Sequence, residues 1–222
     1  MCMRKRYITN MSQLFILFFF FILFISFSKA DPLQDFCVAD LTLPQSPAGY
    51  SCKNVSQVTV DDFVFTGFRN PSNISNTNMA SLTPAFVAQW PALNGLGIAA
   101  VYAELAPGGQ VPIHSHPGGT ELIVVIEGTV IAGFISSSNK AYTKKVDAFE
   151  AMIFPQGLLH FQANTGSVKA KYVVSFSSPN PGVQTTSMSL FGNDLPSEIL
   201  EKVSSIDVVE VKKLKAMFGG TN

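Results

Sequence analysis

HSHPGGTELIVVIEG, His114 to Gly128, holds two of the three histidines in a chain of 222 residues. Pro112 and Pro117 flank the pair and disfavour a helix interior. In an extended segment, residues two apart point to one face, so His114 and His116 project together. Gly118 and Gly119 let the chain bend before Glu121 opens an apolar, β-branched strand, where its carboxylate can turn in beside the imidazoles. The third histidine, His160, follows a Pro155-Gln-Gly157 turn and starts another strand, which in a small barrel can deliver its ring from the far wall. Three imidazoles and one carboxylate form a metal site. Mixed N/O ligation without thiolate suits manganese, iron, nickel, cobalt, copper(II) or zinc. Four ligands on a six-coordinate ion leave two positions open. Mn²⁺ does not win on raw affinity, so loading in the cell must help select it. The competing reading is a set of surface histidines without a ligand role.

The surroundings of this stretch read as strands. LGIAAVYAELA, ELIVVIEGTVIAGFI, AMIFP, LLHFQAN and AKYVVSFSS are apolar and rich in β-branched and aromatic residues, with Gly, Pro, Asn or Ser between them. Many short strands with such turns predict a mainly β fold, a sandwich or barrel. Before them, residues 31–78 are irregular and rich in Asn, Ser and Pro, and Val58 to Phe65 is read as holding a short strand. After them the period changes. Pro196 to Val203 reads as a short helix with proline in its first turn. Asp207-Val-Val-Glu210 resembles a capping box. Val208, Val211, Leu214 and Phe218 follow at helical spacing, and Gly219 can end the helix. These helices pack either on their own domain or on a neighbouring subunit. The expected organisation is a leader over 1–30, an N-terminal extension over 31–78, a barrel over 79–190 and a helical extension over 191–222.

The leader reads as a secretory signal peptide. Arg4, Lys5 and Arg6 precede an uncharged run from Leu14 to Phe27, and Ser28-Lys-Ala30 offers small residues for cleavage. The run is shorter than the roughly 18–20 apolar residues of a membrane span. Met11 offers a second start. Four of the 15 basic residues and none of the 15 acidic ones lie in the leader, so the mature chain is acidic. That argues against a nucleic-acid partner, which needs clustered Lys and Arg. Cys37 and Cys52 remain after cleavage, an even pair in an oxidising compartment, which points to a disulfide. Asn54-Val-Ser56 and Asn73-Ile-Ser75 are glycosylation sequons.

The stretch Gly108-Gly-Gln-Val-Pro-Ile-His114-Ser-His116-Pro-Gly-Gly-Thr-Glu121-Leu-Ile-Val-Val-Ile-Glu-Gly128 resembles the first cupin box of the germins. Pro155-Gln-Gly-Leu-Leu-His160-Phe-Gln-Ala-Asn164 resembles the core of the second. Asp35 to Asp40 and Gly49 to Cys52 are similar to the germin N-terminus with its paired cysteines. The likeness is strongest to the plant germin-like group described as auxin-binding. One position departs: Phe149 stands where the second box usually has glycine, which puts the local loop shape in question. The resemblance implies a single cupin jelly-roll β-barrel with C-terminal α-helices. It implies manganese held by His114, His116, Glu121 and His160, with no catalytic residue separate from these ligands. It implies a homo-hexamer, a trimer of dimers, in the apoplast or extracellular matrix, acting in plant defence or development. Germins proper oxidise oxalate and place asparagines where this chain has Val111 and Val101, so oxalate oxidase activity is not expected. Superoxide dismutation, which asks little of substrate recognition, is the activity the resemblance favours. The alternatives are binding of a small carboxylate such as auxin, and a non-catalytic cell-wall glycoprotein.

Overall fold

A computed structural model describes residues 13–16, 18–19, 34–74 and 77–221. Within the first unit, Met1–Asp35, residues 13–16 and 18–19 are helical. The charged start of the leader, its cleavage segment Ser28 to Ala30, and Ser75 of the second sequon lie outside the described residues. Among the described residues no helix is long and apolar enough to cross a membrane.

In the second unit, from Phe36 on, ten strands build two antiparallel sheets. The strands are β1 (Ala80–Ala85), β2 (Ala99–Leu105), β3 (Gln110–Ser115), β4 (Glu121–Glu127), β5 (Thr129–Ile135), β6 (Ala141–Asp147), β7 (Ala151–Phe154), β8 (His160–Ala163), β9 (Ala170–Phe176) and β10 (Gln184–Thr185). One sheet runs β1-β2-β9-β4-β7, the other β10-β3-β8-β5-β6. Period-two burial explains how they face each other. Along β9, Ala170, Tyr172, Val174 and Phe176 are buried, and along β4, Glu121, Ile123 and Val125 are buried. The core between the sheets is formed by these residues other than Glu121, with Leu105, Val130 and Phe154. This is a jelly-roll barrel, as the resemblance implies, and among the described residues from Phe36 on three α-helices follow it.

Gly128 turns β4 into β5 with φ +75°, and a Cβ there would meet the Lys169 carbonyl oxygen at 2.7 Å. Only glycine meets both conditions. At the turn between β6 and β7 the chain does the opposite. Phe149 adopts φ +67° with its side chain 87 % exposed, and its N–H donates to Val125 O at 2.8 Å. The loop therefore takes a left-handed bend suited to glycine although a phenylalanine stands in it, and the backbone there is strained.

The N-terminal extension is tied to the barrel through polar contacts. Cys37 and Cys52 are bonded, with S–S 2.06 Å. Buried Asn94 donates to Tyr50 O at 2.9 Å and accepts from Tyr50 N at 3.2 Å, and Trp90 Nε1 donates to Asp62 O at 3.0 Å. Val58 to Phe65 forms no strand. Val60–Phe63 is a 3-10 turn, because Asp62 accepts from Thr59 N at 2.7 Å and so caps a turn that an extended chain would break.

The helices are α1 (Thr186–Phe191), α2 (Ser197–Ser204) and α3 (Val208–Phe218). They share a small core of Phe191, Leu200 and Val211, and α1 packs on β3 and β10. Pro196 is the N-cap residue of α2 rather than a first-turn residue. Asp207 caps α3 by accepting from Val209 N at 2.9 Å. Glu210 does not complete a capping box; it pairs with Lys213 one turn on. Gly219 ends α3 in the left-handed conformation. Lys215 is buried, donating to the carbonyls of Asn193 and Thr221. Its charge on a core-facing position contradicts the apolar periodicity, and the two backbone carbonyls that accept its hydrogen bonds explain it.

Candidate metal centre

Two strands of one sheet and one of the other bring the site together. His114 on β3 lies directly opposite His160 on β8. The register of this pair shifts between Val111 and His114, an irregularity containing Pro112, which has no N–H to give to a ladder. The bulge aims His114 inward beside its partner. His116 follows the end of β3 at the start of the Gly118-Gly119 bend, and Gly118 N donates to Pro181 O at 2.8 Å. Glu121 opens β4 on the facing sheet. All four side chains are buried, and their ligand atoms lie within 4.8 Å of one another. Glu121 Oε2 is 2.9 Å from His116 Nε2, 3.2 Å from His160 Nε2 and 4.0 Å from His114 Nε2.

The far nitrogens decide the tautomers. His114 Nδ1 donates to Pro112 O and His160 Nδ1 to Leu158 O, each at 2.8 Å, and His116 Nδ1 donates to Gly182 O. With Nδ1 committed to a backbone carbonyl, each ring turns its Nε2 toward the cluster, the atom a metal would take. Burial, reinforced by the neighbouring His160, lowers the pKa of His114 to about 4. Burial alone would raise Glu121, but hydrogen bonds from His116 and His160 bring it down to about 2. Near neutrality the cluster therefore offers an ionised carboxylate and a neutral His114. This donor set fits a divalent first-row ion.

Residues that sequence reasoning did not single out complete the site. Gln162 Nε2 donates to Glu121 Oε1 at 2.9 Å and fixes the carboxylate. Its signal was present, since it lies two residues beyond His160 on a strand and must face the same way. Phe154 stacks on His160 with ring centroids 4.8 Å apart, and Phe176 meets His116 edge-on at 4.7 Å. Tyr172 is buried with no hydrogen-bond partner for Oη, a condition that costs about 1–3 kcal/mol. Burial and the charge of Glu121 raise its pKa, so the phenol stays protonated. Its proximity to the cluster depends on the register of β9, which no local pattern announces.

A cavity of about 810 Å³ opens over the cluster. Val101, Val111, Val174 and Phe86 form apolar wall, and Met188 and Met217 of the helices stand at its rim. Of the other positions read from the sequence, Cys37 and Cys52 lie in the extension, away from the cluster in the chain's layout. Asn54 and Asn73 are exposed, and Asn54 Oδ1 accepts from Ser56 N at 3.0 Å.

Residues 66–212 match the family described as Cupin. The chain is 49% identical over 210 residues to auxin-binding protein ABP19a of Prunus persica, covering 95% of this chain and 100% of that protein. It is 51% identical over 205 residues to a germin-like protein of Morus alba, covering 92% and 98%. Among solved structures, an oxalate oxidase is similar with a TM-score of 0.81 and 39% identity, covering 86% of this chain and 98% of that one.

Proposed function

The chain belongs to the cupin family, among its germin-like proteins, and from that premise we propose a secreted manganese protein that dismutes superoxide and does not oxidise oxalate. The observation that carries this reading is the convergence of three Nε2 atoms and one carboxylate at the base of a large cavity. A redox-active ion held there supplies one-electron chemistry to a small anion. The chain's own residues do the rest. His114, His116 and His160 present their Nε2 atoms, Glu121 supplies the negative charge, and Gln162 holds it in place. Val101 and Val111 line the cavity and donate no hydrogen bond, which supports the absence of oxalate oxidation.

In this reading residues 1–30 are removed and the protein works in the apoplast, with 31–78 as extension, 79–190 as barrel and 191–222 as helical extension. Exposed Asn54 and Asn73 suit glycan attachment. Outward Leu122, Val124, Ile126 and Ile153 leave apolar side chains on the outer surface of one sheet, which supports assembly into a hexamer of three dimers.

Elemental analysis and a superoxide assay on the same purified protein, beside His160→Ala, test the proposal. The expected result is stoichiometric manganese in the wild type and loss of activity in the variant. Stoichiometric manganese without activity would move the reading to a second one, binding of an aromatic carboxylate such as auxin, which the apolar cavity wall favours. Indole-3-acetate binding that survives complete metal removal would sink that second reading. A protein with metal, no turnover and no such ligand would be a wall glycoprotein stabilised by its ion.

A further inference from the structure

Glu121 has a phenylalanine on either side of it. Across β4 and β7 it lies opposite Phe154, and across β4 and β9 it lies opposite Phe176. Side chains directly opposite on one face of an antiparallel pair are within reach of each other. Both rings are buried in the core between the sheets, Phe154 at 1% exposure. Each also meets one imidazole of the cluster. Phe154 lies flat on His160, with ring centroids 4.8 Å apart and planes 18° apart. Phe176 meets His116 edge-on at 4.7 Å, and Phe86 meets Phe176 edge-on in turn. His114 has the imidazoles of His116 and His160 beside it instead.

The carboxylate distances follow the same division. Glu121 Oε2 comes within 2.9 Å of His116 Nε2 and 3.2 Å of His160 Nε2, and stays 4.0 Å from His114 Nε2. The two imidazoles with a phenylalanine against them are the two that the carboxylate approaches. The torsion that turns a histidine ring about its Cβ–Cγ bond has broad minima, so the rotamer by itself does not fix the ring plane. The hydrogen bond from His160 Nδ1 to Leu158 O holds one edge of the ring and leaves its tilt open. A flat ring against the imidazole face removes that tilt. Such stacking is favourable beyond the area it buries, and the register of β7 on β4 keeps Phe154 in place.

We infer that Phe154 is a positioning residue of the metal centre: its ring sets the plane of the His160 imidazole and thereby the direction in which Nε2 points into the cluster. The inference rests on the metal-centre reading for its purpose, while the stacking itself is a property of the chain without an ion.

The test compares two variants with wild type. Phe154→Leu keeps an apolar side chain and loses the flat face. Leu105→Val loses buried volume from the same core on β2, a strand that carries no residue of the cluster. Co²⁺ is titrated into each metal-free protein well below its melting temperature, and affinity and the visible absorption of the bound ion are recorded. Phe154→Leu is expected to bind Co²⁺ about tenfold more weakly than wild type, the scale of loss when a group that orients a metal-bound histidine is removed. Its visible spectrum changes because the direction of one nitrogen changes. Leu105→Val keeps the wild-type affinity and spectrum, whatever melting temperature it loses. Wild-type affinity and spectrum in Phe154→Leu overturn the inference. So does an equal loss of affinity in Leu105→Val, which would make the effect one of core stability. Should Phe154→Leu not fold, Phe154→Met takes its place under the same criteria. If wild type takes up no Co²⁺, the metal-centre reading fails by itself. The His160 ring resonances of the metal-free proteins then decide: exchange broadening in Phe154→Leu alone supports the positioning role, and any other pattern overturns it.

Discussion

His114 and Glu121 carry shifts that make the centre sensitive to acid. Burial keeps the His114 imidazole neutral down to about 4, whereas the unfolded chain takes up that proton near 6.5. Its contribution to stability is present above 6.5, declines as the pH falls below that value, and is gone under about 4. Glu121 is ionised down to about 2 against 4.5 when unfolded, so its contribution is present above 4.5 and lost as the pH falls through 2. Both signs agree. The metal-free protein is expected to melt at progressively lower temperature from pH 6.5 downward, with on the order of 3 kcal/mol lost from His114 alone. Melting curves of chelated protein across that range check this, and a flat profile would contradict it. At this scale His114, His116, Glu121 and His160 were legible because their types and spacing are rare in so histidine-poor a chain. Tyr172 was not, because its neighbour in space is set by strand pairing and not by distance along the chain.

At the scale of elements, turns and caps were less legible than strands. A strand that buries one face announces itself by alternation. The Val58 to Phe65 segment also alternates in part, yet one carboxylate, Asp62, captures the Thr59 N–H and makes a turn instead. Phe149 shows a side chain in conflict with its backbone. Phe149→Gly removes left-handed strain of about 1–2 kcal/mol and adds about 0.5–1 kcal/mol of backbone entropy cost. Its ring is 87% exposed, so little packing goes with it. The variant is expected to melt a few degrees higher, by about 2–4 °C per kcal/mol gained. Differential scanning calorimetry decides it, and a lower melting temperature would show that the ring packs against something in the assembled protein.

For the whole molecule, the centre joins the two sheets, since His114 and His160 sit on one and Glu121 on the other. An ion held by all four side chains would close the barrel across its core. Binding to the native state alone adds about 4.1 kcal/mol when free metal is a thousandfold above Kd. Chelation is therefore expected to lower the melting temperature by on the order of 10 °C, and reloading should restore it. The helices could not be assigned to their own barrel or a neighbour from periodicity, because an apolar stripe records that a face is covered and not by what. In the chain, α1 packs on β3 and β10, and the three helices share the Phe191, Leu200 and Val211 core.

The amino-acid sequence alone determined the residue types of the candidate metal centre, the strand-rich class and the family resemblance, because each is written in short spacings that local geometry reads directly. Tertiary structure alone decided which far nitrogen each imidazole commits, that Gln162 holds Glu121, that Tyr172 is buried near the cluster, and that Lys215 is buried. Each of these depends on which strand or loop lies alongside. That is settled by the pairing of distant segments around a common core, where burial makes every unpaired polar group costly and so fixes its partner.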